Sequence, residues 1–357
     1  MNLEAKVAVA ILGVVVASLG GLLVWSAASG GGSTKSGQMV RPGAETSSEA
    51  NRFLEGKIRH QEEEAKLVAA AEKRAEQKAS IERTGIDGSP GGPGESAKTR
   101  KSELPSTSAS SSSFAALEGE ISGEIGVAYA PLGSARSQTL GPLQVGHAWS
   151  SFKVPISVTV MLEQGGSLNS SQESLVASAI TASDNEAAAT LFLELEAMTG
   201  GRASEAVERT LENAEGAAVE VATDPPPPGA VSSWGQTEWP LSASTSFYGA
   251  LACGAYGGAT DTILNDMERV ISEQQWGLGQ VSFPSGASVA FKAGWGPDGS
   301  ESGPFLVRQA GIIRSPQGGA VVTIAAQDSS GSFEAGVSDL DRVADWVAMN
   351  VPLEGSC

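Results

Sequence analysis

Between Thr84 and Ser113 the chain holds almost nothing that a hydrophobic core could bury. Gly, Pro and Ser dominate this tract (GSPGGPGES, STSASSSS), a composition that cannot offset the entropy of folding and predicts disorder. It confines the folded domain to the residues from about Phe114 onward. By length alone, 357 residues would suit about two domains. The layout read here is instead anchor, spacer, helix, spacer, domain.

The anchor is Val7 to Trp25 (VAVAILGVVVASLGGLLVW), 19 residues with no charge and one polar side chain, Ser18. As a helix it spans roughly 28 Å, about the hydrocarbon thickness of a bilayer, and Trp25 suits the interfacial belt. A cleaved signal peptide is the alternative, with Ser26-Ala27-Ala28 offering small residues to a peptidase. The run exceeds the usual h-region and the leading MNLEAK is weakly basic, so a retained single-pass membrane helix is expected, with the C-terminal domain extracytoplasmic. No Cys lies near the run, which excludes a lipid-modified N-terminus. Flanking charge does not fix orientation: Lys6 lies on one side, Lys35 and Arg41 on the other.

Residues 30–48 read as flexible Gly/Ser linker and residues 49–83 as a charged helix with mixed signs, Glu62/Lys66 forming one i,i+4 pair. Leu54, Ile58, Ala65, Val68, Ala75 and Ala79 trace a heptad-like seam, but Gln61 and Glu72 interrupt it and alanines make weak knobs. The stalk therefore reads as a solvated helix, with at most weak coiled-coil self-association. His60 has no catalytic role there.

Charge separates the two parts further. Residues 1–113 hold 14 Lys/Arg and 13 Asp/Glu, whereas residues 114–357 hold nine and 28, a net −19 within a total of −18. A domain that acidic repels phosphate backbones, so nucleic acid is not an expected partner. Two Cys and two His exclude a zinc finger and most His-based metal sites. No metal and no cofactor are expected.

From Phe114 the pattern is that of an α+β domain. Strand-like stretches come first, at 120–130 and 138–147, followed by a helical block from 151 to 213 and helix signals from 241 to 273. Three strand candidates (287–294, 305–314 and 320–327) and an amphipathic helix from 337 to 350 close the domain.

Three short motifs stand in this frame, each occurring once. Ser150-Ser151-Phe152-Lys153 is an S-x-x-K followed by apolar helical sequence, which sets a hydroxyl and an amine at i and i+3 on one helix face. A Lys desolvated there can shed its proton and serve as base to a serine nucleophile. Ser183-Asp184-Asn185 lies between helical runs, where a plain Ser/Asp helix cap is the bland reading. Lys292-Ala293-Gly294-Trp295 ends a strand candidate. Each is weak alone; their shared order within a β–α–β frame is what carries weight.

In these motifs and their surroundings the sequence resembles the penicillin-recognising serine hydrolases, above all the class A β-lactamases. HAWSSFKVPISVTVML looks like their nucleophile helix, LVASAITASDNEAAATLFLEL like the region of their second motif, and FKAGW stands where they carry K-[ST]-G. TEWPLSASTSFYGAL is similar to a further helix of theirs. The resemblance covers about residues 115–350. It implies a five-stranded antiparallel sheet flanked by helices, with a helical subdomain. It also implies Ser150 as nucleophile, Lys153 as its base, Ser183 as proton relay and Asn185 as substrate and Lys153 orienter. Lys292 would supply positive potential, and the Ser150 and Trp295 amides an oxyanion hole, with Gly294 between them and the lysine.

Departures limit what the likeness implies. Ala293 removes the third motif's hydroxyl, and Arg308 is the candidate substitute as carboxylate partner. Ser150 and Ser183 are only 33 residues apart, so one cleft wall should be absent. No E-x-x-L-N occurs between Gly200 and Trp239, and Glu238 is a poor substitute because Ser242 takes the Asn position. A β-lactam acyl-enzyme should then turn over slowly. The expected partner is a cell-wall peptide or β-lactam-like small molecule. The rival reading is a degenerate domain that binds wall peptide or a protein without turnover, and a purely structural envelope protein ranks below both. Cys253 and Cys357 form a disulfide if the domain is exported, or remain two thiols. A His147–Ser150 dyad is disfavoured by the short spacing.

Overall fold

The computed structural model describes residues 107–214, 218–227, 230–283, 286–298 and 304–357. The expected anchor, the linker at 30–48, the stalk helix and most of the second linker lie outside the described residues. Among the described residues no helix is long and apolar enough to cross a membrane.

The domain opens with α1 (Thr107–Glu118), β1 (Gly123–Pro131), β2 (Gln138–Leu140) and β3 (Val145–His147). Four helices follow: α2 (Lys153–Glu163), α3 (Ser170–Thr181), α4 (Asn185–Thr199) and α5 (Ala203–Glu212). The chain returns through β4 (Glu238–Pro240), α6 (Leu241–Ala252) and α7 (Thr260–Met267), then closes with β5 (Ser288–Pro297), β6 (Phe305–Ser315), β7 (Gly318–Asp328) and α8 (Phe333–Asn350). The main sheet has the order β2-β1-β7-β6-β5, and every neighbouring pair is antiparallel. The expected α+β class and five-stranded antiparallel sheet are what the structure has.

Alternation along the strands explains how one sheet serves two cores. On β7, Ala320, Val322, Ile324 and Ala326 pack in the cluster that contains Val337, Leu340, Val343 and Val347 of α8. Val321, on the opposite face, joins the cluster of the helical layer, which also holds Phe247 and Tyr248 of α6 and Ile156 and Val160 of α2. Residues Lys153 to Met161 of α2 are all buried. A helix apolar on every side is a core helix, and this one carries the S-x-x-K lysine into the interior. Pro155 sits in its first turn, where a missing N–H costs nothing.

Three sequence expectations need correction. The disordered tract does not extend to Ser113, because α1 begins at Thr107. Packing overrides composition there: the Phe114 ring meets Trp346 edge-on at 4.9 Å, and Trp346 Nε1 donates to Ser113 Oγ at 2.9 Å. The stretch 138–147 is not one strand. Gly141, at φ +84, turns the chain after β2, and β3 pairs instead with β4 in a small second sheet. A Cβ at Gly141 would stand 2.2 Å from the Ile125 carbonyl oxygen, so no other residue fits that corner. The helix signals over 241–273 resolve into two helices, α6 and α7. Cys253 and Cys357 are bonded to each other, with Cα atoms 5.3 Å apart.

Phe114 is 1% exposed at this seam between α1 and α8. Phe114→Ala should cost ~3–5 kcal/mol, as large-to-small changes at buried aromatic sites do. Denaturant unfolding would register it. A loss below 1 kcal/mol would mean that α1 is not part of the folded unit.

Candidate active site

All three motifs reach one place. Ser150 lies in a short 3-10 turn, Trp149 to Phe152, that feeds directly into α2. The turn is braced from several sides. Ala148 N–H donates to Thr237 O at 2.8 Å, Tyr248 Oη donates to Ser151 O at 3.1 Å, and Ser151 Oγ bonds Ala148 O. On the β5 side, a Cβ at Gly294 would stand 2.9 Å from the Ser150 nitrogen and 2.8 Å from that of Ser151. Only glycine lets the strand backbone come this close, and it brings the end of β5 against the turn.

Lys153, one turn into the interior, is 1% exposed. Its Nζ donates to Asn185 Oδ1 at 2.7 Å, to Ser183 Oγ at 3.2 Å and to the Ser183 carbonyl. From the other side Lys292, wholly buried on β5, donates to the same Ser183 Oγ at 2.9 Å and to Ala293 O at 3.1 Å. Ser183 thus stands between two lysine amines. Burial, and then the charge of Lys153, hold the Lys292 ammonium well below the ordinary lysine range. Two amines sharing one hydroxyl in a dry site resist carrying two protons, which leaves a basic amine beside hydroxyls.

The loop holding Ser183 is strained and pinned. Among the described residues only Trp149 (φ 48) and Ser183 (φ 58) are non-glycine residues with positive φ, and each adjoins or forms a motif. Such conformations cost about 1–3 kcal/mol each and collect at functional sites. Asp184 caps α4 by accepting from Glu186 N–H at 2.8 Å and Ala187 N–H at 3.1 Å, and it receives Ser178 Oγ at 2.9 Å. Burial pushes its carboxyl up, yet these hydrogen bonds and the nearby Lys153 outweigh that and hold it low. Both readings of Ser-Asp-Asn therefore hold at once: Asp184 is the cap, while Ser183 and Asn185 serve the site.

A cleft opens at Ser150. Ser150, Asn185 and Ser232 are its polar groups, and Trp149, Trp234 and Trp295 its aromatic ones. None of the ten residues lining it is charged. The Trp149 ring lies on Gly296, whose Cβ would fall 2.3 Å from a ring carbon. Trp295 also packs edge-on against Trp276, with centroids 5.9 Å apart. The loop residues Ser232 and Trp234 enter from a Pro/Gly-rich stretch whose sequence carries no periodicity.

Two candidates lie elsewhere. Arg308 is fully buried and not in the cleft. Its Nη1 donates to Gly146 O at 2.9 Å, Trp239 O at 3.1 Å and His147 O at 3.3 Å, and its guanidinium lies 5.4 Å from the Trp239 ring centroid. Burial brings it down to about 10. It clamps the β3–β4 sheet rather than meeting a substrate carboxylate. Glu238 is exposed on β4, opposite His147, and does not line the cleft. His147 directs Nδ1 to Asp298 Oδ1 at 2.9 Å. That contact, opposed by burial and helped by Gln327, holds Asp298 below the usual carboxylate range. Sequence spacing offered no sign of this pair. Among the described residues no cluster of His, Cys, Asp and Glu could hold a metal ion.

No family model matches the sequence, and no curated protein matches it. Solved structures do. The TLA-3 extended-spectrum β-lactamase is similar at 16% identity and a TM-score of 0.54, over 68% of this chain and 98% of the other. The chromosome-encoded β-lactamase of Vibrio parahaemolyticus is similar at 16% identity and a TM-score of 0.52, over 67% and 97%. An ancestral class A β-lactamase is similar at 19% identity and a TM-score of 0.52, over 67% and 98%. The likeness establishes a class A β-lactamase-like fold.

The buried amine makes a stability prediction with a definite sign. Because folding lowers the Lys292 pKa, the unfolded chain binds the extra proton at any pH between the folded value and the ordinary 10.5. Wild-type stability should therefore rise with pH relative to Lys292→Met across pH 7–10. Chemical denaturation at stepped pH would show it. Parallel profiles for the two proteins would remove the argument.

Proposed function

We propose that this chain, whose domain has a class A β-lactamase-like fold, is an acyl-serine hydrolase held outside the cytoplasm by its N-terminal segment. The observation that carries the reading is the Ser183 hydroxyl shared by two buried lysine amines, at 3.2 Å from Lys153 and 2.9 Å from Lys292, in a site that opens at Ser150. In the reaction, Ser150 Oγ attacks a carbonyl carbon while its proton passes to the Lys153 amine, which acts as base. The backbone amides of the turn and of β5 receive the oxyanion. The bond to the leaving group then breaks, and that group takes a proton from Ser183, which is resupplied from Lys153. A water must later split the acyl–Ser150 ester. Substrates of this class are peptidoglycan-related peptides, β-lactams and similar amides or esters.

Deacylation needs a base to activate that water, and no carboxylate lines the cleft. The acyl-enzyme should accordingly be long-lived. Intact-protein mass spectrometry after exposure to a fluorophosphonate or a β-lactam should find an adduct on Ser150 that persists. Ser150→Ala should abolish it, and Lys153→Ala should slow its formation by about 10²–10⁴-fold. Rapid release would reveal a base in the site. If a folded protein takes no label, the domain binds without turnover, as the uncharged cleft and Ala293 would also suit.

Support for the location comes from the uncharged run at 7–25 and from the Cys253–Cys357 bond, since such bonds persist in oxidising compartments. Protease added to intact cells without an outer barrier should remove the domain. Protection until lysis would overturn the orientation.

A further inference from the structure

We infer that the cleft discriminates against carboxylates, which narrows the amides and esters proposed above to those without a carboxylate and sets β-lactams and wall peptides among its poorer substrates. The inference rests on the acyl-transfer reading for its chemistry but on separate observations for its selectivity. Each nearby cation is withdrawn from the cleft. Arg308 is fully buried, with Nη1 committed to three backbone carbonyls of the β3–β4 sheet. Lys292 is fully buried, donating to Ser183 Oγ and Ala293 O, and Lys153 is 1% exposed and donates to Asn185 Oδ1. At position 293 a methyl group is buried at 1% in the cluster that packs on α8, so no hydroxyl is offered there either.

What the cleft does present is neutral, with polar and apolar surface in equal measure. Trp149, Trp234 and Trp295 form its aromatic walls, with Ser232 and Asn185 as neutral hydrogen-bonding groups. Aromatic walls with a few convergent polar groups suit a planar apolar ligand part whose one polar function is fixed in orientation. A carboxylate entering such a site would lose hydration without gaining a counter-charge, a cost of several kcal/mol at full burial. The field outside acts in the same direction. Residues 114–357 carry nine basic and 28 acidic side chains, and a domain with that excess of negative charge lowers the local concentration of anions.

The test separates binding from chemistry. The full-length Ser150→Ala chain in detergent would be titrated calorimetrically with benzanilide, its 4-carboxylate and its 4-trimethylammonium derivative, the substituent being on the acyl ring. The neutral amide should bind at least tenfold more tightly than the carboxylate, and the trimethylammonium form should also bind more tightly than the carboxylate. A carboxylate bound as tightly as the neutral amide, or more tightly, would show that a cation opens to the cleft and would overturn the inference. With wild-type protein, p-nitrophenyl benzoate should give a burst of nitrophenolate that its 4-carboxylate gives at least tenfold more slowly. The absence of any burst would count against the acyl-transfer reading, while the titration would still decide the selectivity.

Discussion

The placement of two lysine amines on one serine hydroxyl is the constraint around which this domain is arranged. Lys153 and Lys292 come from different layers, a core helix and the edge strand of the sheet, and they meet at Ser183. Burying an amine is expensive unless polar partners surround it. The partners here are neutral: a hydroxyl, an amide oxygen and backbone carbonyls. A carboxylate bonded to Lys292 would have held it as an ammonium ion, whereas its hydroxyl and carbonyl partners leave its pKa low. The surrounding structure has to supply what such a site cannot supply for itself. The left-handed backbone at Ser183, the Asp184 cap and the buried α2 are the means by which it does so.

A second consequence concerns the small β3–β4 sheet. It carries no core of its own, and Leu306 meets Gly146 from below. Arg308 reaches across to its carbonyls and stacks on Trp239. A guanidinium used in this way acts as a rivet: its fixed donor geometry holds strands that lead straight into the nucleophile turn. The turn therefore inherits its position from β6 as well as from α2.

The grouping of Ser150, Lys153, Ser183 and Asn185 was legible because these residues stand at short spacing. Ser150/Lys153 and Ser183/Asn185 each sit within four residues, so local helix geometry was enough to place them. Lys292 was expected near a strand end, but β5 runs on to Pro297 and the lysine joins them from mid-strand. Arg308 was misplaced because sequence shows which residue faces a strand partner, not how far a long side chain travels beyond it. The extent of α1 was hidden for a related reason. Ser110 and Ser113 look like linker, and only the distant Trp346 and Phe114 make that segment worth ordering. The cleft walls at Ser232 and Trp234 come from aperiodic loops, whose path is set by what they pack against. The disulfide stayed open in sequence since its two cysteines are 104 residues apart.

Strand order also dictates when during synthesis the molecule can become itself. β1 lies between β2 and β7, and its residue Gly123 pairs with Asp328. Until β7 has been made, the β1–β2 pair and the β5–β6 pair share no strand hydrogen bonds. Lys292 exists only after Ser150 and Ser183, so the reactive centre cannot assemble on the leading part of the chain. Non-local pairing of this kind makes folding a late and comparatively slow event. A polypeptide so arranged can complete its sheet only after most of it has been made.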